Sequence, residues 1–146
     1  MVVIISQWQG MIMAREWTPV RESQHQTALM QWWDVVHQHY GLPQKALYHP
    51  PNEGLRTKVT GALLKKLGLR KGFPDIQLLT PAPAPSTYGM LFIELKSEHG
   101  RPTLDQLEYL EFLRERGYAA CLCVGWDAAK KCIEDYLHGR QIPDKM

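Results

Sequence analysis

The chain has 146 residues, with 17 Lys and Arg against 15 Asp and Glu, for a formal net charge of +2. That near-balance excludes a uniformly basic nucleic-acid binder, and 45% hydrophobic with 22% charged residues excludes a disordered or fibrous chain. The length suits one ordinary domain with a real core rather than two.

Residues 1–20 show no clear period and are read as an N-terminal arm of unassigned role. The apolar start Met1 to Ile5 lacks the basic region and length of a signal peptide. No apolar run approaches the roughly 18–20 residues of a membrane span, so a cytoplasmic protein without membrane contact is expected. From Arg21 to Tyr40, Leu29, Trp32, Trp33, Val36 and Tyr40 recur at three- and four-residue steps, which predicts an amphipathic helix ended by Gly41 and Pro43. Lys45 to His49 reads as a short strand entering a turn at residues 50–54, and Thr57 to Leu67 as a second helix.

The period then changes. Ile76 to Leu79 reads as a strand, Pro81 to Ser86 as a proline-rich loop, and Met90 to Lys96 as a strand whose nearly continuous apolar run marks burial on both faces. Thr103 opens a helix with the capping pattern Thr103-x-x-Gln106, and Leu104, Leu107, Leu110 and Leu113 supply its expected buried stripe until Gly117. Tyr118 to Val124 is a further strand, and Asp127 to Leu137 a last helix closed by Gly139, with Ala128, Cys132, Ile133 and Tyr136 available for packing. One α/β domain over residues 21–140 follows, with order α-β-(α)-β-β-α-β-α and a tail at 141–146. Cys121, Cys123 and Cys132 are an odd, closely spaced set, a poor disulfide framework. Zinc wants four ligands and no second pair accompanies Cys-x-Cys, so these are read as core thiols on a strand, with no disulfide partner.

Charge is uneven along the chain. Between Lys45 and Lys71 the basic residues Lys45, Arg56, Lys58, Lys65, Lys66, Arg70 and Lys71 face Glu53 alone, leaving the rest of the chain net acidic. Such a segment suits either contact with phosphates along one face or a solvated helix, and composition leaves both open.

The most informative pattern is Gly72-Phe73-Pro74-Asp75 followed by Glu94-Leu95-Lys96. Strand alternation puts Glu94 and Lys96 on one face, about 7 Å apart. Ionised groups at the end of a buried strand need a partner or a cation. Asp75 can meet Glu94 across the hairpin, and a hard ion such as Mg²⁺ or Mn²⁺ between two carboxylates would polarise a phosphodiester, with Lys96 orienting water or neutralising charge. A structural turn at Asp75 with a Glu94–Lys96 ion pair satisfies the same spacing. Glu22 and Gln26 share a face with Leu29 and Trp33 on the first helix, so a carboxylate in its first turn can reach the sheet edge, or simply favour the helix N-terminus. Gln106 lies on the line of Leu110 and Leu113, and its place in the capping pattern accounts for it without catalysis.

Taken together, Glu22-x-x-x-Gln26, Pro51-Asn52-Glu53-Gly54, Gly72-Phe73-Pro74-Asp75, Phe92-Ile93-Glu94-Leu95-Lys96 and Gly100 through Gln106 carry a resemblance covering Glu22 to Leu137. The chain resembles a stand-alone VRR-NUC (virus-type replication-repair nuclease) domain of the PD-(D/E)XK superfamily, whose small free-standing members occur in phages and bacteria. The resemblance implies a restriction-endonuclease-like fold, a mixed central sheet flanked by helices, and DNA cleavage dependent on Mg²⁺ or Mn²⁺. It assigns Glu22, Asp75, Glu94 and the Leu95 carbonyl as metal ligands, with Asp75, Glu94, Lys96 and Gln106 in the catalytic set. It further implies a homodimer cutting branched DNA, with four-way (Holliday) junctions leading. Asn52 joins the basic residues 45–71 as the expected DNA contact. The competing readings are a non-catalytic DNA-binding module using the basic segment, and a nuclease for RNA or for other DNA structures.

Overall fold

The protein is seen here as a computed structural model that describes residues 19–50 and 58–146. The N-terminal arm up to residue 18, with Trp8 and Trp17, and the turn over residues 51–54 lie outside the described residues.

Helix α1 spans Glu22–Val36 and tightens into a 3₁₀ turn over His37–Tyr40, ended by Gly41 at φ 67°. That positive φ is a conformation glycine adopts without penalty. A 3₁₀ turn at Gln44–Ala46 leads into strand β1 (Leu47–Tyr48), and helix α2 covers Lys58–Lys66. Strands β2 (Ile76–Leu78) and β3 (Leu91–Lys96) follow, then helix α3 (Leu104–Glu115), strand β4 (Ala119–Val124) and helix α4 (Trp126–Leu137).

The sheet order is β1-β2-β3-β4, antiparallel across the first two interfaces and parallel between β3 and β4. The α3 crossover makes the parallel pairing possible, since a tight hairpin cannot reverse direction twice. All six residues of β3 are buried, as its apolar run predicts. Helices α1 and α4 cover one face, where Leu29, Trp33, Ile93, Leu95, Ile133 and Tyr136 form the main core. Helix α3 covers the other face with Leu110 and Leu113 against Phe92, Ala120 and Leu122. The Tyr136 hydroxyl donates to the Thr80 carbonyl at 2.7 Å, and the Trp33 indole N–H to the Gln44 carbonyl at 2.8 Å, so both large polar rings are satisfied inside the core.

The buried stripe of α3 is shorter than its leucine spacing predicts. Leu104 and Leu107 are 71% and 45% exposed, because leucines at strict three-residue steps drift by about 60° per step around a helix of 3.6 residues per turn, so the face that buries Leu110 and Leu113 leaves the earlier two outside. At the other end of the chain, residues 144–146 run alongside β4. Val124 N–H donates to the Met146 carbonyl and Met146 N–H to the Leu122 carbonyl, each at 2.9 Å. Arg114 holds this segment by donating to the Ala120 and Asp144 carbonyls at 2.9 and 3.1 Å. An otherwise bare strand edge is thereby paired.

Candidate active site

Four segments distant in sequence meet at the C-terminal end of β3. Strand alternation turns Glu94 and Lys96 to the α3 side of the sheet while Ile93 and Leu95 enter the main core. Asp75 stands one residue before β2, level with Glu94 in the continuation of the Ile76↔Ile93 pairing. Leu95 N–H donates to Asp75 Oδ2 at 2.9 Å, which fixes the carboxylate. The Leu95 carbonyl faces the same side of the strand as its N–H, toward Asp75. His49 Nδ1–H donates to the Asp75 carbonyl at 2.7 Å and ties the end of β1 to the same point.

Glycine makes the approach possible. Gly72 has φ 82°, and a Cβ there would fall 2.4 Å from the Asp105 carbonyl, so the Gly72–Asp75 loop lies directly on the first turn of α3. Gly72→Ala is expected to cost about 1–3 kcal/mol through backbone strain alone, seen as a lower urea midpoint. By shifting Asp75 it should also slow any cleavage by about 100-fold.

Glu22 enters from the first turn of α1. Lys96 Nζ lies 3.2 Å from Glu22 Oε1 and 2.8 Å from Glu94 Oε1. The other Glu22 oxygen sits where a Cβ on Gly100 would meet it at 3.1 Å. Trp126 N–H donates to His25 Nδ1 at 3.2 Å, anchoring the same turn of α1 on the start of α4. The Lys96 carbonyl accepts from Gly125 N–H at 2.8 Å. The backbone on both sides of the cluster is therefore held.

Electrostatically the cluster is unbalanced. Glu94 is 0% exposed, and despite the nearby ammonium neither of its carboxylate oxygens has a hydrogen-bond donor aligned on it. Burial, then the charge of Asp75, push its pKa up to about 7 against the opposing pull of Lys96. For Lys96 burial favours the neutral amine, but Glu94 and Glu22 outweigh it and hold the ammonium above its ordinary pKa. A buried carboxylate that has an ammonium on one oxygen, no aligned donor on either, and a second carboxylate beside it fits a hard divalent cation, which takes oxygen donors of this kind. Glu94, Asp75 and the Leu95 carbonyl are the groups that would hold it, with Glu22 adjoining.

The expected residues divide accordingly. Glu22, Asp75, Glu94, Leu95 and Lys96 come together. Gln106 does what its capping pattern describes: its side-chain carbonyl accepts from Thr103 N–H at 2.8 Å while Thr103 Oγ1 accepts from Gln106 N–H at 3.3 Å. Its backbone underlies Gly72, so it supports the Asp75 loop. Lys65 and Lys66 end α2, and Arg70 curls back on the Lys65 and Leu69 carbonyls before the chain reaches Gly72. Lys71 is exposed beside them. Lys45 lies at the end of β1 away from Asp75. Asn52 and Arg56, and the side chain of Lys58, lie outside the described residues. A further cleft of about 410 Å³ opens beside the site, lined by Glu98, His99, Gly100, Arg101, Leu122, Val124 and Lys145 among others. Of its cations, Arg101 falls within a quoted motif, but nothing in sequence spacing brings Lys145 here, because that depends on the last strand segment docking on β4.

The family model described as the VRR-NUC domain matches residues 15–127, which contain Glu22, Asp75, Glu94 and Lys96. The chain belongs to the VRR-NUC family. It is similar to a solved structure titled "VRR_NUC domain protein", with a TM-score of 0.70 and 25% identity over 88% of this chain and 97% of the other. A search of curated proteins returned no match. The VRR-NUC domain is a nuclease domain, and its restriction-endonuclease-like fold is the four-stranded mixed sheet flanked by helices described above. Among the described residues no helix is long and apolar enough to cross a membrane.

Proposed function

We propose that this VRR-NUC domain is a divalent-metal-dependent, structure-selective DNA endonuclease that hydrolyses phosphodiester bonds, favours branched DNA such as four-way junctions, and works as a homodimer. The observation that supports a metal requirement is Glu94, fully buried beside Asp75 with no hydrogen-bond donor aligned on either oxygen and only the Lys96 ammonium paired to Oε1. Mg²⁺ or Mn²⁺ bound there would supply Lewis acidity toward the phosphoryl oxygen and a more acidic water.

The chain's own residues do the rest. Asp75, fixed by Leu95 N–H, and Glu94, fixed by β3, would hold the ion within reach of Lys96. Lys96 keeps its proton and offsets the negative charge that builds on the phosphoryl group. Glu22 orients the Lys96 ammonium from the side opposite Glu94. Lys65, Lys66, Arg70 and Lys71 precede the Asp75 loop and suit the DNA backbone on that side, with Asn52, Arg56 and Lys58 in the same stretch of chain. A two-fold dimer would present two such centres to the two strands of a symmetric junction.

The test is cleavage of junction, flap, linear duplex and RNA substrates by purified protein with Mg²⁺, Mn²⁺ or a chelator, paired with its mass in solution. Metal-dependent cutting that is fastest on junctions, by a dimer, is the expected result. Chelator-resistant cutting overturns the metal requirement, equal rates on linear duplex overturn junction preference, and salt-sensitive binding without products leaves a DNA-binding module in place of an enzyme.

A further inference from the structure

Cys121 and Cys123 alternate onto the same side of β4, and Cys132 comes down on them from α4. All three are free thiols with no solvent exposure. Their sulfurs lie within 4.8 Å of one another, and the Cys121 and Cys123 sulfurs are 3.7 Å apart. Packing requires only small apolar side chains here, and alanine serves at neighbouring Ala119 and Ala129 in the same core.

We propose that these three thiols form a site for a soft monovalent metal ion, Cu(I), in trigonal sulfur coordination, separate from the proposed nuclease centre. Three sulfurs about 2.3 Å from a common ion stand about 4 Å from each other, close to the spacing found. Soft thiolate donors select copper(I) and zinc over hard cations. Zinc in a closed site wants four ligands, and among the described residues no His, Asp or Glu joins the three sulfurs. Charge agrees with a monovalent ion. As Cu⁺ enters, one sulfhydryl releases its proton to solvent, the three copper–sulfur bonds form from sulfur lone pairs, and nothing is oxidised or reduced. The buried centre stays neutral, which a low-dielectric core demands. The bound ion would clamp β4, whose neighbour β3 carries Glu94 and Lys96, to α4.

The experiment is an anaerobic titration of the reduced full chain with Cu(I) buffered by a chromophoric chelator. One ion per chain is expected, with affinity at least about 100-fold weaker in Cys132→Ala, whose metal-dependent cleavage is unchanged. Copper should raise the melting temperature of the wild type and not of that variant. X-ray absorption on the wild-type copper form, which needs no variant to fold, should show three sulfur neighbours. A shell of nitrogen or oxygen, or equal copper retention when all three cysteines are alanine, overturns the site, whatever the outcome of the cleavage assays.

Discussion

Glu94→Gln is expected to lower cleavage by at least about 1,000-fold and at the same time to make the metal-free protein more stable at pH 8. The two effects share one cause. Losing a carboxylate that would hold the ion removes the Lewis acid that offsets the developing charge, an effect worth about 1,000-fold or more. The stability gain follows from the raised pKa of Glu94, about 7 against an ordinary 4.5. A carboxyl whose pKa is higher folded than unfolded contributes stability below pH 4.5, and that contribution is lost as the pH rises through 7. At pH 8 the wild type carries the full burden of an ionised, buried carboxylate. An isosteric neutral amide removes it, a gain of up to about 3 kcal/mol at one pKa unit per 1.36 kcal/mol. At pH 4 the two proteins should differ little, since Glu94 is then protonated in the native state. Urea titrations at both pH values, without divalent ions, check the sign. Equal stability at pH 8, or a less stable variant, would refute the electrostatic account, and retained cleavage would remove Glu94 from the site.

Lys96→Met reverses the balance. Its ammonium is 6% exposed and stands between Glu22 and Glu94. Without it, Glu22 and Glu94 both lose the ammonium that pairs with them. Breaking a buried pair by removing one partner costs about 3–5 kcal/mol. The variant should therefore melt well below the wild type in chelator, and Mg²⁺ or Mn²⁺ should restore much of the difference by binding only the folded state. Cleavage should remain about 100- to 10,000-fold down even with saturating metal, because the charge that offsets the phosphoryl group is gone. Thermal melts with and without metal, run beside single-turnover cleavage, separate the two losses. A variant that cleaves normally once metal restores its stability would assign Lys96 a purely structural role.

Much of this architecture was legible because it depends on local rules. The apolar run from Leu91 to Ile93 pointed to a central strand, and Thr103-x-x-Gln106 pointed to a capping box as well as to a place in the catalytic set, and the capping role is how Gln106 spends its side-chain carbonyl. The alternation that puts Glu94 beside Lys96 is likewise intrinsic to a strand. What sequence left open was set by long-range pairing. The retreat of Leu104 and Leu107 from the core was within reach of helical period, since a strict three-residue spacing turns gradually off one face, but which of the four leucines would be buried depended on how α3 docks on the sheet. Asp135, apparently a surface acid, is 7% exposed because Lys131 and Arg140 close on it at 2.6 and 2.9 Å. The convergence of Cys132 on Cys121 and Cys123 needed α4 to be laid across β4, and chain spacing alone pointed only to core thiols.

The link between Glu22 and Lys96 spans 74 residues of chain. Asp75 and Glu94 are likewise aligned only once β2 and β3 have paired. No fragment of the chain emerging during synthesis contains the whole cluster in working order, and Glu22, though made first, waits for β3 and α4 to fix its helix. The cluster is thus a property of the finished fold, and a break in the chain between Glu22 and Lys96 that lets the two pieces part would dismantle all of it at once.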